Sequence, residues 1–385
     1  MQRSKDRILT THAGRLSSSL REFEAFDLKV GRGEPHDPAA YAAMTQQAID
    51  DVVGHQIGIG IDVISDGELG RRRQFDYWSG RMEGIALRDL KPGEVGATIF
   101  NTRERKIFKG YYAEADKDRP SVARPKRIIC NGPLKSRNLD VLNQEITRFK
   151  QALKGRDVEA FFPVIAPGWI DHFIFNEHYR TDEEFVHALA EVLRPEYQAV
   201  VDAGLILQVD DPGLPDAWPT FDPPISLEDY RRYARIRVDA LNEALQGIPE
   251  EKVRYHLCWG SWHGPHTDDI PLAHIVDLML LVRAQGYSVE AGNVRHEHEW
   301  KVWRDVKLPE GKILIPGVVS HKTSVVEHPE LVADRLVTYA KLVGRENVQG
   351  GTDCGMGLGR VHHEVGWAKF EALVEGAKLA SQQLW

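Results

Sequence analysis

A short apolar run, Tyr255-His256-Leu257-Cys258-Trp259-Gly260, carries one imidazole and one thiol two residues apart. In a β-strand residues i and i+2 point to one face, so His256 and Cys258 project side by side, which is how a strand presents half of a metal site. The same spacing also describes a packed strand with a satisfied histidine beside a buried cysteine. A second cysteine lies in Gly351-Thr352-Asp353-Cys354-Gly355, another run that reads as a strand end. Imidazole and thiolate are borderline-soft donors suited to zinc, and a carboxylate completes a four-coordinate set. Glu290, closing the apolar run Tyr287-Ser288-Val289-Glu290, is the expected fourth ligand. Its rivals His296, Glu297, His298 and Glu299 fall in the following loop, and His263 and His266 form a second loop set of a kind more often solvated than ligating.

These side chains need a scaffold that gathers strand ends. Apolar runs near residues 8–12, 61–66, 127–133, 161–168, 205–212, 253–259, 287–290, 313–321 and 347–351 alternate with helical periodicity near 37–58, 141–153, 182–203, 227–245, 275–284, 331–343 and 367–384. Strand then helix, repeated, reads as an α/β fold, either a closed barrel or a doubly wound sheet. Polar residues stand at the C-terminal end of nearly every strand: His12, Glu68, Asp210, Cys258, Glu290, His321 and Cys354. A doubly wound sheet clusters such residues at one switch point, whereas a barrel gathers them in a ring, so the spread predicts a (β/α)8 TIM barrel. One candidate strand, near 128–132 or 162–166, is then surplus. The irregular, polar stretch at about 80–125 is expected to form a hairpin or lid inserted in a single catalytic domain spanning 1–385.

Composition narrows the function classes. The 385 residues are 42% hydrophobic and 28% charged, ordinary values for an enzyme with a sizeable core. A net charge of −8 gives no basic field for nucleic acid or an anionic membrane, so any bound anion must meet local Arg or Lys. The three cysteines are too few for a disulfide scaffold and suit free thiols in a reducing cytoplasm. No long apolar run or signal peptide pattern is present, which predicts a cytoplasmic protein with no membrane partner. No glycine-rich nucleotide fingerprint follows a strand.

Taken in order, Thr11-His12-Ala13-Gly14, Asp66-Gly67-Glu68, Gln208-Val209-Asp210-Asp211-Pro212, His256-Leu257-Cys258, Val289-Glu290, Gly317-Val318-Val319-Ser320-His321 and Asp353-Cys354-Gly355 resemble the catalytic domain of cobalamin-independent methionine synthases. That family lies within the wider methionine synthase and uroporphyrinogen decarboxylase-like barrel superfamily. The resemblance, which covers nearly the whole chain, implies zinc held by His256, Cys258, Glu290 and Cys354. It implies further that Glu68 and Asp210 hold the amino group of homocysteine and that His321 sits near the reacting centre. Trp259 joins Arg15, Glu68 and Asp210 as an expected substrate-binding residue. The chain departs from the pattern in two respects. It has the length of one barrel, where full-length members carry a second that helps bind folate. Arg15 also stands where the family usually places a Ser, and a guanidinium there could clamp a carboxylate or sulfonate.

The function implied is zinc-dependent thiol alkyl transfer, most simply of a methyl group to homocysteine or a similar thiol activated as a zinc thiolate. Glu68, Asp210 and His321 are the expected catalytic residues, with His321 as general acid or, alternatively, a structural hydrogen-bonding His. A salt bridge to Arg71 or Arg72 is the alternative role for Glu68. The run Gly264-Pro265-His266 after His256-Leu257-Cys258-Trp259-Gly260 also resembles single-barrel epoxyalkane:coenzyme M transferases, which add an anionic thiol to an epoxide. The Arg71-Arg72-Arg73 run, usually solvated, would serve such an anion if one member faced the pocket. A metal-free lyase or decarboxylase of the same superfamily and a non-catalytic zinc- or thiol-binding protein are the remaining readings. The partners expected are a small-molecule thiol and an alkyl or methyl donor, with homo-oligomerisation compatible with either transferase.

Overall fold

The computed structural model describes residues 1–71, 75–117, 126–357 and 361–385. Eight strands pair in parallel: β1 (Leu9–Thr10), β2 (Val63–Ile64), β5 (Glu159–Ile165), β7 (Ile206–Asp210), β8 (Val253–Leu257), β9 (Gly286–Glu290), β10 (Ile313–Val319) and β11 (Gln349–Thr352). Their order is β1-β11-β10-β9-β8-β7-β5-β2, so each strand lies beside its predecessor in the chain and the last returns to the first. Between β1 and β2 the ring is closed by a single backbone bond, Asp62 N–H to the Thr10 carbonyl at 3.1 Å, and by the Asp62 carboxylate, which accepts from Thr10 N at 2.8 Å. Thr11 Oγ1 adds a bond to the Val63 carbonyl. This is the expected (β/α)8 barrel.

Every residue of β7, β8, β9 and β10 is buried, as parallel strands covered by helices must be, which is why their apolar runs show no alternation. Local signals set the helices. The helix Pro38–Ile59 starts where the Asp37 carboxylate accepts from Ala39 N, with proline in its first turn, and stops at Gly60 in the left-handed region at φ 91°. The helix Asp182–Asp202 starts where Thr181 accepts from Glu184 N. The closing helix His363–Leu384 packs along Pro329–Val343.

The surplus strand is the one at 128–132. It belongs to β4 (Lys126–Ser136), which pairs antiparallel with β3 (Met82–Asp89) and parallel with β6 (Ile174–Asn176) in a sheet outside the barrel, whereas 162–166 falls largely in the barrel strand β5. The hairpin therefore continues beyond 125, and residues 118–125 lie outside the described ones. Between its strands, the short helices Arg103–Ile107 and Lys109–Ala115 fold onto the barrel loops. Arg103 donates to the Trp218 and Phe221 carbonyls and to Asp268, and the Tyr111 hydroxyl donates to the His263 carbonyl.

Two helices differ from expectation. The periodic stretch 275–284 forms only Val276–Leu280, because the chain must reach β9 at Gly286 and Arg283 N is already tied to Asn242. The helix Arg21–Gly31, half exposed and weakly apolar, has no counterpart among the expected elements. No described helix is long and apolar enough to cross a membrane.

Candidate metal centre and active site

At the C-terminal rim of the barrel His256 closes on Cys258 and Cys354, one ligand atom from each lying within 4.8 Å of the others. Strand alternation sends His256 and Cys258 to the same side, and β11 delivers Cys354 two residues past its end. The two sulfurs stand 3.7 Å apart, far beyond a disulfide bond at about 2.05 Å and close to the edge of about 3.8 Å expected between two thiolates on one tetrahedral zinc. His256 Nδ1 is held by Ser288 Oγ at 3.0 Å, which leaves Nε2, buried without a nitrogen or oxygen partner, beside the Cys354 sulfur. The donor set and its geometry thus fit zinc.

The electrostatics agree. The hydrogen bond from Cys258 holds the Cys354 thiol well below the ordinary thiol range, aided by His256 and His321, while the same bond and burial hold Cys258 well above it. Burial would push His256 down, but its contact with Cys354 raises it overall. A cation bound here would displace the protons that these groups hold.

Glu290, expected as the fourth ligand, is buried at the end of β9 but falls in a second group, with His321 and Asp353. Its Oε2 accepts from Trp259 N and its Oε1 from Asn293 Nδ2, both at 2.9 Å. Asn293 also donates to Asp353 Oδ2, and Asp353 Oδ1 accepts from Ala291 N and Gly292 N at 2.7 and 2.6 Å. Asp353 is therefore the clamp that folds the loop after β9 back over the site. Nothing in the sequence separates it from the other acids, because its partners arrive in the loop after β9, far away along the chain. His321 is fully buried against this pair of carboxylates.

Of the expected substrate residues, Arg15 and Glu68 lie in the loops after β1 and β2, and Asp210 closes β7 in register with His256 of β8. At Gly14, with φ +125°, an added Cβ would lie 2.7 Å from Glu68 Oε1 and 3.7 Å from Gln208 Nε2, and Gln208 Nε2 donates to Asp210 Oδ1 at 2.7 Å. Glycine at 14 is what lets the Glu68 carboxylate approach the loop after β1. Glu68 itself holds φ 55°, a backbone strain of the sort kept at functional sites. Arg15 donates to the Glu68 and Arg71 carbonyls. His12 accepts from Gly14 N at Nδ1 and donates from Nε2 to Gln56, and burial holds its pKa down at about 3, so a neutral imidazole anchors this loop. Arg71 pairs with Asp66 and lies over the Phe162 ring, not against Glu68; Arg72 and Arg73 lie outside the described residues.

Trp259 is turned inward: its ring stacks on His296 at 3.9 Å and its Nε1 donates to the Ile270 carbonyl, so only its backbone N–H reaches the site, through Glu290. Of the rivals, His266 and His296 are buried and meet through Asp269, His298 is exposed, and Glu297 pairs with Arg335. Asp216 went unnoticed in the sequence. Its Oδ2 is buried without a hydrogen-bond partner, and burial together with Asp269 holds its carboxyl far above the usual range.

A family model described as the catalytic domain of cobalamin-independent synthase matches residues 19–106. The methionine synthase of Sulfurisphaera tokodaii is 25% identical over 348 residues, covering 88% of this chain and 84% of that protein. The chain is akin to the cobalamin-independent synthases. A 2-hydroxypropyl-CoM lyase of Xanthobacter autotrophicus is similar too, at 22% identity over 388 residues, covering 92% of this chain and 90% of the lyase. In fold, the B12-independent methionine synthase of a Shewanella species, solved with selenomethionine, superimposes with a TM-score of 0.70 at 18% identity over 98% of this chain and 99% of that one.

Proposed function

We propose that the protein is a zinc-dependent thiol alkyltransferase that passes a methyl group to homocysteine or a similar amino-acid thiol. The observation that carries this is the meeting of His256, Cys258 and Cys354 within ligand distance of one cation, with Asp210 on the neighbouring strand in register with His256. Similarity to proteins named methionine synthase over most of the chain supports it. Zinc bound there would keep the acceptor sulfur ionised at neutral pH, since a free thiol titrates near ~8.5.

The remaining work falls to the chain's own groups. Glu68 and Asp210 supply negative charge for an ammonium group, orienting an amino-acid thiol with its sulfur toward the cysteines. Glu290 is the available fourth donor, and its hydrogen bonds from Trp259 N and Asn293 keep its carboxylate aimed. His321, buried beside Glu290 and Asp353, is placed to give a proton to the group that leaves the methyl donor. Arg15 is engaged with two backbone carbonyls, which favours a structural role over capture of a sulfonate.

The second reading, addition of an anionic thiol to an epoxide, is favoured by the similarity to the 2-hydroxypropyl-CoM lyase. Calorimetric titration of the zinc-loaded protein with homocysteine and with coenzyme M separates the two. Homocysteine should bind and release about one proton as its thiol ionises. Exclusive binding of coenzyme M moves the assignment to the second reading, and a native protein lacking zinc defeats both.

A further inference from the structure

Behind the candidate metal ligands lies a buried chain of polar side chains that none of the roles above employs. It begins at Glu299, whose Oε1 accepts from Leu272 N and whose Oε2 meets His296 Nδ1 at 3.0 Å. His296 Nε2 meets Asp269 Oδ2 at 3.0 Å, and the same oxygen meets His266 Nδ1 at 3.0 Å. On its far side His266 Nε2 faces the Lys322 ammonium at 2.9 Å. Lys322 also donates to the Gly260 and Trp262 carbonyls at 2.7 and 3.0 Å, and its Nζ is 3.9 Å from Glu290 Oε1.

Asp269 accepts, so His266 carries a proton on Nδ1; its Nε2 faces both the Lys322 ammonium at 2.9 Å and the Trp262 carbonyl at 3.1 Å, and the ammonium, which has only protons to offer, makes Nε2 the acceptor. Glu299 and Asp269 both accept from His296, which is what an imidazolium between two carboxylates does, and charges alternate from Glu299 to Glu290. The residues come from the loops after β8, β9 and β10, so the chain stitches together the three loops that surround Glu290. His266 holds φ 55° without being glycine, a strain the fold retains at this point. Three acceptors use all three protons of the ammonium, so Lys322 acts on its surroundings through where it is held.

We propose that His266, Asp269 and His296 are positioning residues that hold Lys322 against Glu290, and that Lys322 thereby fixes the posture of the Glu290 carboxylate toward the metal. The proposal rests on the zinc reading above and goes beyond it. Histidines that compete on paper for the role of ligand act one step behind a ligand, as outer hydrogen-bond partners do in metal sites generally.

Cobalt(II) in place of zinc tests this, because its visible bands report ligand number and geometry while its near-ultraviolet bands report thiolate. Lys322→Met and Asp269→Asn should each change the visible bands, leave the thiolate bands in place and weaken cobalt binding about tenfold. The double variant should do no more than either alone, since the residues act as one unit. In a Glu290→Gln background neither substitution should change the spectrum further. Should Asp269→Asn melt, His266→Phe fills its site without accepting from Lys322 and should give the same change. Folded variants with parental spectra, or effects that add, overturn the proposal and leave the zinc reading intact. A parent protein that binds no cobalt or zinc sinks the zinc reading itself.

Discussion

The sulfurs of Cys258 and Cys354 lie 3.7 Å apart although β9 and β10 separate the strands that carry them. Only the inward convergence of the barrel's rim brings them together, so neither thiol is placed by local sequence. Cys258→Ser or Cys354→Ser should take bound zinc from about one per chain to none and remove turnover with it, as metal analysis of the purified variants will show. The same closeness predicts a redox sensitivity. Oxidation of metal-free protein should join the pair with a small backbone shift and lower the titratable thiols by two, while the zinc-loaded protein resists. Retention of all thiols in the metal-free form would contradict the geometry.

Lys369 is fully buried on the last helix and donates to Glu327 Oε2 at 2.8 Å and to the Val325 carbonyl. Glu327 Oε1 in turn accepts from Ser320 N, one residue before His321. Lys369→Met strands an unpaired buried carboxylate and should cost about 3–5 kcal/mol, read as a lower urea midpoint at unchanged slope. Lys369→Met/Glu327→Gln should recover part of that loss, and no recovery would mean that packing rather than charge is at stake.

Stability should respond to pH through His296. Burial alone would lower its pKa, but hydrogen bonds to Asp269 and Glu299 raise it to about 9 from the ordinary 6.5. The folded state therefore holds this proton more tightly than the unfolded state. Its contribution is complete below pH 6.5 and disappears as the pH climbs through 9. The raised value corresponds to an upper bound of about 3 kcal/mol. Melting temperatures measured from pH 6 to 10 should fall across this window, and His296→Gln should flatten the fall.

Glu68→Gln and Asp210→Asn each remove one of the charges assigned to an acceptor ammonium. Each should raise KM for homocysteine about 10- to 100-fold, the size of a charge-assisted hydrogen bond, with a smaller change in kcat. Steady-state kinetics against homocysteine and against a thiol without the amino group would expose the difference. An equal effect on both thiols would count against the assignment.

The barrel and the His256, Cys258 and Cys354 trio were legible because they follow from two local rules: alternation along a strand and polar residues at strand ends. The outer sheet was less so. Only Met82 of β3 is buried and Leu87 is exposed, a pattern weak enough to pass for irregular loop, and its partner strand begins beyond a long connection. The duties of Asp353, Asn293 and Lys322 could not be read at all, because each is defined by backbone or side chains that arrive from distant segments. Trp259 illustrates the converse. It is an expected substrate-binding residue, while its large apolar ring lies in the core against His296.

The junction of β1 and β2 has no strand ladder: one backbone bond and the Asp62 and Thr11 side chains span the strands, and the Leu16 N–Gly67 and Ser65 Oγ–Gly14 bonds join the loops beyond them. Its two strands run directly into the loops that carry Arg15 and Glu68. An acceptor gripped by those loops would therefore also fasten the barrel's zip, so that occupancy and cohesion rise together. Amides in 8–12 and 61–66 should exchange with solvent early in the empty enzyme and slow when the acceptor binds.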